Sequence, residues 1–184
     1  MAKPDGAGAV DVSSERTAAA SAGEHKALHR RWIDAYNDRD EAGEAEVRAS
    51  EYVAHAPGEP EPLRDEAWRA MIGSYVDGMP DLFITIEDLI AEGDFTASRN
   101  TFSGTHTGEF QGLPPSNRRI TFSGLEFNRL VDGKVVEHWF QIDQPALFKQ
   151  FGLVVIPGPR LLIRILVQRL RRLPGALLEK RPSR

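Results

Sequence analysis

Apolar residues first recur at helical spacing between Glu24 and Asp38, where Leu28, Trp32, Ile33, Ala35 and Tyr36 share one face. A second short helix is predicted around Glu41–Ser50, leading into Tyr52-Val-Ala-His55, and a Pro/Gly/Glu loop spans Ala56–Pro62. Ala67, Trp68, Met71, Ile72 and Tyr75 predict a third helix over Arg64–Asp77, ended by Gly78 and Pro80. From Leu82 the period changes to two. Strands are predicted at Leu82–Ala91, Phe95–Thr105, Ile120–Val131 and Lys134–Ile142. Glu92-Gly93-Asp94 reads as a tight turn and Asp132-Gly133 as a two-residue type I′ turn. Gly108–Asn117 is a loop long enough to overhang a pocket mouth, and Gln144–Phe151 is a closing helix stopped by Gly152. Helices first and an antiparallel meander afterwards is an α+β arrangement, not a parallel βαβ one.

The last strand divides into two faces. Val135, Glu137, Trp139, Gln141 and Asp143 alternate with Val136, His138, Phe140 and Ile142. A solvated strand face rarely sets Trp beside Glu and Asp, whereas the wall of a polar-tipped pocket often does. The first face is therefore predicted to line a pocket, with Asp143 at the strand end.

Three segments follow from these patterns. Residues 1–23 are rich in Ala, Gly and Ser without a repeating apolar face and are predicted to stay outside the fold; residues 24–153 form the domain; residues 154–184 are a basic extension. Within the extension, 160–173 reads as an amphipathic helix suited to packing on the domain, to a partner's groove or to an anionic membrane surface. Eight Lys or Arg against the single Glu179 give the extension +7; with a chain total of −4, the first 153 residues carry −11. An acidic body argues against nucleic-acid binding. The 184 residues include no cysteine, which excludes disulfides, thiolate catalysis and cysteine zinc sites. No secretory pattern opens the chain and no apolar run approaches the roughly 18–20 residues that span a bilayer, so the expected location is the cytoplasm, with peripheral membrane contact through the terminal helix as the alternative.

Three stretches together resemble a known family: Asp81-Leu…Ile86-Glu-Asp-Leu…Glu92-Gly-Asp, Gly104-Thr-His-Thr-Gly-Glu-Phe-Gln-Gly-Leu-Pro-Pro, and Gly133-Lys-Val-Val-Glu-His-Trp…Asp143-Gln…Leu147…Gln150…Gly152. In this order they are similar to the SnoaL-like polyketide cyclases, or ester cyclases, of the nuclear transport factor 2-like superfamily. The resemblance covers about residues 25–153. It implies a cone-shaped α+β barrel, a curved antiparallel sheet wrapped around the N-terminal helices, with a deep apolar cavity. It also implies catalysis without metal or organic cofactor, an aspartate after the Trp of the last strand as general acid/base, and a homodimer formed through the outer sheet face. By position that aspartate is Asp143.

Ring closure by an aldol step needs a base to take a proton next to a carbonyl and donors to hold the enolate oxygen. Asp143 suits the first task if burial raises its pKa, and otherwise caps the helix beginning near Gln144. His106 would assist by polarising a carbonyl, or else pins the neighbouring loop. Glu137 either raises the pKa of Asp143 or pairs with Arg99 or Arg119. Trp139 and Gln141 share its face, while Tyr36 and His55 reach the pocket from the helical side. His25 and His29 stand four apart, yet no Glu lies between them in the protease pattern and the other histidines show no ligand spacing, so no metal site is expected. Neither a Gly-x-Ser-x-Gly elbow nor a phosphate-binding glycine loop occurs. The expected function is cofactor-independent cyclisation or isomerisation of a hydrophobic carbonyl compound. The alternatives are a non-catalytic small-molecule binder and a hydrolase using an Asp-activated water, as in the epoxide hydrolases of the superfamily.

Overall fold

A computed structural model describes residues 12–153 and 158–171. Five helices and five strands follow one another as α1 (Val12–Asp38), α2 (Glu41–Val47), β1 (Arg48–His55), α3 (Asp65–Gly78), β2 (Phe83–Glu92), β3 (Phe95–Thr105), β4 (Arg119–Val131), β5 (Lys134–Ile142), α4 (Gln144–Gln150) and α5 (Pro159–Arg171). Helix α1 begins well before Glu24, so residues 12–23 are helical and not outside the fold. Ala18, Ala19, Ala20 and Ala22 explain this: alanine favours helix without any apolar period to announce it. The rest of that N-terminal stretch, residues 1–11, lies outside the described residues.

Both sharp hairpins come from residues that tolerate positive φ. Asp132 and Gly133 adopt φ 49° and 69°, closing the Val131–Lys134 pair as a two-residue turn. Gly93, at φ 52°, does the same between β2 and β3. The strands order as β1-β5-β4-β3-β2, antiparallel except where β1 pairs parallel with β5. The sheet is α+β and curved, as expected, but it is open, with β1 and β2 as its edges, and not a closed barrel. Strand β1 was not anticipated because its Arg-Ala-Ser-Glu start has no alternating pattern.

Helices α1 and α3 cover the concave face of the sheet, where two apolar clusters form. One gathers Ile33, Tyr75, Leu82, Phe102, Phe122 and Phe140. The other gathers Leu28, Trp32, Val47, Tyr52, Trp68 and Leu130. Along β4 the inward residues run Ile120, Phe122, Gly124, Glu126, Asn128, Leu130, all buried, so the row is apolar at both ends and polar in the middle. Thr96, Ser98 and Asn100 on β3 and His138 on β5 extend this belt sideways. The core is thus split by a strip of buried polar groups.

Two contacts fix the helices to the sheet. The Asn37 amide donates to the Ile84 carbonyl at 2.9 Å and accepts from the Ile84 N–H at 2.8 Å, so the end of α1 completes the edge of β2. The loop after β3 docks on the end of α3, where Thr107 and Gly108 N–H both donate to the Gly78 carbonyl at 3.1 Å. Gly108 allows that approach because a Cβ there would fall 1.9 Å from the Asp77 carbonyl oxygen. Gly73, inside α3, faces nothing within 4 Å.

Opposite outcomes are expected at these glycines. Gly108→Ala lowers stability by about 1–3 kcal/mol through steric conflict, and Gly73→Ala raises it by about 0.5–1 kcal/mol through helix propensity. Urea midpoints at constant m-value check both.

Candidate active site

The predicted pocket face of β5 is its outer face. The register steps between Arg129 and Leu130, so Val135 and Val136 both turn inward and the inward set continues with His138 and Phe140. Glu137, Trp139 and Gln141 consequently face away from the helices. Glu137 is held there by neither Arg99 nor Arg119. It accepts from Arg129 Nε and Nη2 at 3.1 and 3.0 Å and bonds His55 Nε2 at 2.9 Å. The His55 hydrogen bond, helped by Arg129, holds its carboxyl below the ordinary value. His55 also lies flat on Trp139, ring centres 5.1 Å apart, and Trp139 leans on Phe127 at 5.6 Å. This group explains why a Trp stands beside carboxylates without a pocket: the ion pairs and the ring stack satisfy each other.

Asp143 is exposed and caps α4, accepting from the Ala146 N–H at 3.0 Å. Its carboxylate is therefore not in the cavity. His106 is buried beside the loop, its Nδ1 accepting from the Ser116 N–H at 3.2 Å and 3.0 Å from Ser116 Oγ. Its ring meets Phe151 edge-on at 4.6 Å. Both side chains do what their local positions ask, cap and loop pin, and neither lines the cavity. Of the seven residues singled out, Tyr36 alone reaches it.

That cavity is a narrow, tightly walled cleft between α1, α3 and the concave sheet. Trp32, Trp68, Tyr75, Phe102, Phe122 and Phe140 make an aromatic wall, and Tyr36, Glu44, Glu126 and His138 supply its polar atoms. A second hollow of about 720 Å3 shares Tyr36, Glu44, Trp68 and Ile72 with it and adds Arg39, Arg48 and Arg69. It forms a polar vestibule between α2 and α3.

Behind the aromatic wall the polar belt is wired in one direction. His138 Nδ1 lies 2.6 Å from Asn128 Oδ1, an acceptor, so Nδ1 carries the proton and donates. Asn128 Nδ2 in turn donates to His29 Nδ1 at 3.0 Å, and the Thr96 hydroxyl stands 3.0 Å from the same nitrogen. With Nδ1 an acceptor, the proton of neutral His29 sits on Nε2, 3.7 Å from Glu126 Oε2. That approach has ion-pair geometry, but burial forbids the ions. Desolvation lowers His29 to about 4, aided by Arg30, and lowers His138 to about 3, aided by His29. Desolvation likewise raises Glu126 to about 7. At neutral pH two uncharged imidazoles therefore face a half-ionised acid.

Asn100 and Ser98 flank that acid on β3. Asn100 is close enough to favour the Glu126 carboxylate, yet neither of its amide atoms, nor Ser98 Oγ, reaches hydrogen-bond geometry with any described residue. Unpaired polar atoms around a desolvated acid are the usual mark of a binding or catalytic site. The sequence carried a signal for this group. Glu126 sits at the inward parity set by Phe122 and Leu130, a position where a charge is expensive unless used. Among the described residues no three His, Asp or Glu side chains are grouped to hold a metal. His29 belongs to the belt, and His25 Nδ1 lies 3.0 Å from the Gly93 carbonyl.

Comparison with known proteins identifies the family. The sequence profile of the SnoaL-like polyketide cyclases matches residues 26–151. AclR of Streptomyces galilaeus, a proposed hydroxylase, is 31% identical, with TM-score 0.67 over 72% of this chain and 98% of its own. IdmH of Streptomyces antibioticus, a proposed polyketide cyclase, is 30% identical, with TM-score 0.63 over 68% and 96%. TsrD of Streptomyces laurentii is 29% identical, with TM-score 0.60 over 79% and 100%. Among curated proteins none matches. The chain belongs to the SnoaL-like polyketide cyclase family.

The Glu126 shift fixes a pH dependence. Its folded value lies above its ordinary 4.5, so its contribution to stability is fully present below 4.5 and is lost as pH rises through about 7. Glu126→Gln removes that loss. Relative to the parent, the variant should gain about 3 kcal/mol between pH 4.5 and 7 and stay level above, read from urea unfolding across that range.

Proposed function

We propose that this member of the SnoaL-like polyketide cyclase family performs cofactor-independent acid/base chemistry on a hydrophobic, ring-forming carbonyl compound. The reaction is an intramolecular aldol-type cyclisation or an isomerisation, and Glu126 is the group that moves the proton. One observation supports this above the others: a fully buried carboxyl at the wall of an aromatic cavity, brought to about 7 by desolvation. A general acid/base works best when its pKa lies near the working pH.

In this reading the Glu126 carboxylate takes a proton from the carbon next to a carbonyl. The enolate carbon then attacks a second carbonyl of the same molecule, and protonated Glu126 returns the proton to the new alkoxide, so acid and base balance over the cycle. Tyr36 stays protonated, because desolvation raises its hydroxyl above the ordinary tyrosine range, and it can donate to a developing oxyanion. Asn100 stands beside Glu126 and favours its carboxylate form. The neutral His29–Asn128–His138 chain holds the acid's surroundings fixed, which keeps reorganisation small. An aromatic wall suits flat polyketide rings, which is in keeping with the proposed polyketide cyclase activity of IdmH.

A binding protein without catalysis also accommodates a capping Asp143. It does not account for a desolvated acid among unpaired polar groups, which makes apolar binding weaker and has value only if a proton moves.

With aromatic keto-ester substrates, Glu126→Gln should reduce turnover by about 10²–10⁴-fold while leaving the fold intact. Asp143→Ala should keep turnover within a few-fold and lower stability by about 1 kcal/mol, the usual cost of a lost cap. In the parent, kcat/KM should rise through an inflection at about 7. A folded Glu126→Gln protein with full turnover would overturn the assignment.

A further inference from the structure

Helix α5, Pro159–Arg171, belongs to a separate compact unit, Gly152–Arg184, and has no part in the proposed chemistry. Its start is well made: Pro159 occupies the first turn, and the Gly158 carbonyl accepts from Leu161 and Leu162 N–H at 2.9 and 3.0 Å. Arg160, Arg164 and Gln168 recur every four residues and form one narrow polar stripe. Leu161, Leu162, Ile163, Ile165, Leu166 and Val167 fill the remaining arc, each between 39% and 61% exposed. The helix contains no acidic residue.

We infer that α5 is an interfacial anchor that lies in the plane of an anionic phospholipid surface. Three features select lipid over a protein partner. The apolar arc is far wider than the two-in-seven seam of a coiled coil, so a single helix partner would leave much of it wet. Arg169 lies inside that arc, between Leu162 and Ile165 on the helical wheel. In a protein groove it would be an unpaired buried charge, whereas at a bilayer its stem runs along acyl chains and its guanidinium reaches the headgroups. Finally, all charges of the helix are positive, which complements phosphate headgroups and adds to burial of the leucines and isoleucines. Thirteen residues make about 20 Å of helix, too short to cross, and no helix of the described residues is long and apolar enough to do so. The anchor lies flat.

The test uses the full chain in sedimentation with vesicles of mixed phosphatidylglycerol and phosphatidylcholine, against phosphatidylcholine alone. Binding to the anionic vesicles is expected, falling with added salt. Arg160→Gln/Arg164→Gln should weaken it by about 25-fold, fivefold for each charge. Leu162→Glu/Leu166→Glu should abolish it while the urea midpoint of the body stays unchanged. Equal partition onto both vesicle types, no partition onto either, or undiminished binding of the Leu162→Glu/Leu166→Glu protein would overturn the anchor. So would a lower mass in light scattering for that variant than for the parent, since a second copy would then be what covers the helix.

Discussion

Desolvation of one carboxyl is the constraint on which the rest of this domain turns. Glu126 occupies the inward row of β4, where alternation buries its side chain against the helices. A charge so placed is tolerated only if its neighbours are polar and its proton is negotiable. Both conditions are met. Thr96, Ser98, Asn100, Asn128 and His138 occupy the facing and adjacent inward positions, and burial brings the acid to about 7. The belt interrupts the hydrophobic core, and the two apolar clusters on either side, tied to the sheet by α1 and α3, supply the stability that the interruption removes.

The direction of the hydrogen bonds in the belt matters as much as its composition. A chain that begins with a donor on His138 and passes through Asn128 must end with the His29 proton on Nε2, 3.7 Å from Glu126 Oε2 and without a hydrogen-bond partner among the described residues. Every member is neutral, so the chain can orient without adding charge to a site that cannot solvate it. Protonating either histidine would set a cation in the interior, and desolvation resists this strongly enough to hold both well below their ordinary values.

Much of this could be read from the chain beforehand, and the misses have physical causes. Strands β3 and β5 match the period-two segments, and both hairpins stand where Gly93 and Asp132-Gly133 announce them. The site was misplaced by choosing the wrong face of β5. Alternation separated Glu137, Trp139 and Gln141 from His138 and Phe140 as the structure does, and the step beside Val135 and Val136 moves only Val135 to the inward set. A Trp beside Glu and Asp then resembled a pocket wall, although the partners that satisfy them, His55, Phe127 and Arg129, come from strands that local pattern cannot bring together. Glu126 was passed over, although Phe122 and Leu130 on its own strand fix its inward parity.

Could Asp143 still turn inward to meet a substrate? Resemblance alone would make it the acid/base, and α4 begins just beside it. Turning inward would break its hydrogen bond to the Ala146 N–H, at about 1 kcal/mol for a lost cap. It would also take a second carboxylate out of water, a cost that adds to the lost cap. Substrate binding would have to supply both costs. The carboxyl that is buried before the substrate arrives is therefore the one to which the proposed chemistry is assigned, and the aspartate at the strand end is the start of the helix it caps.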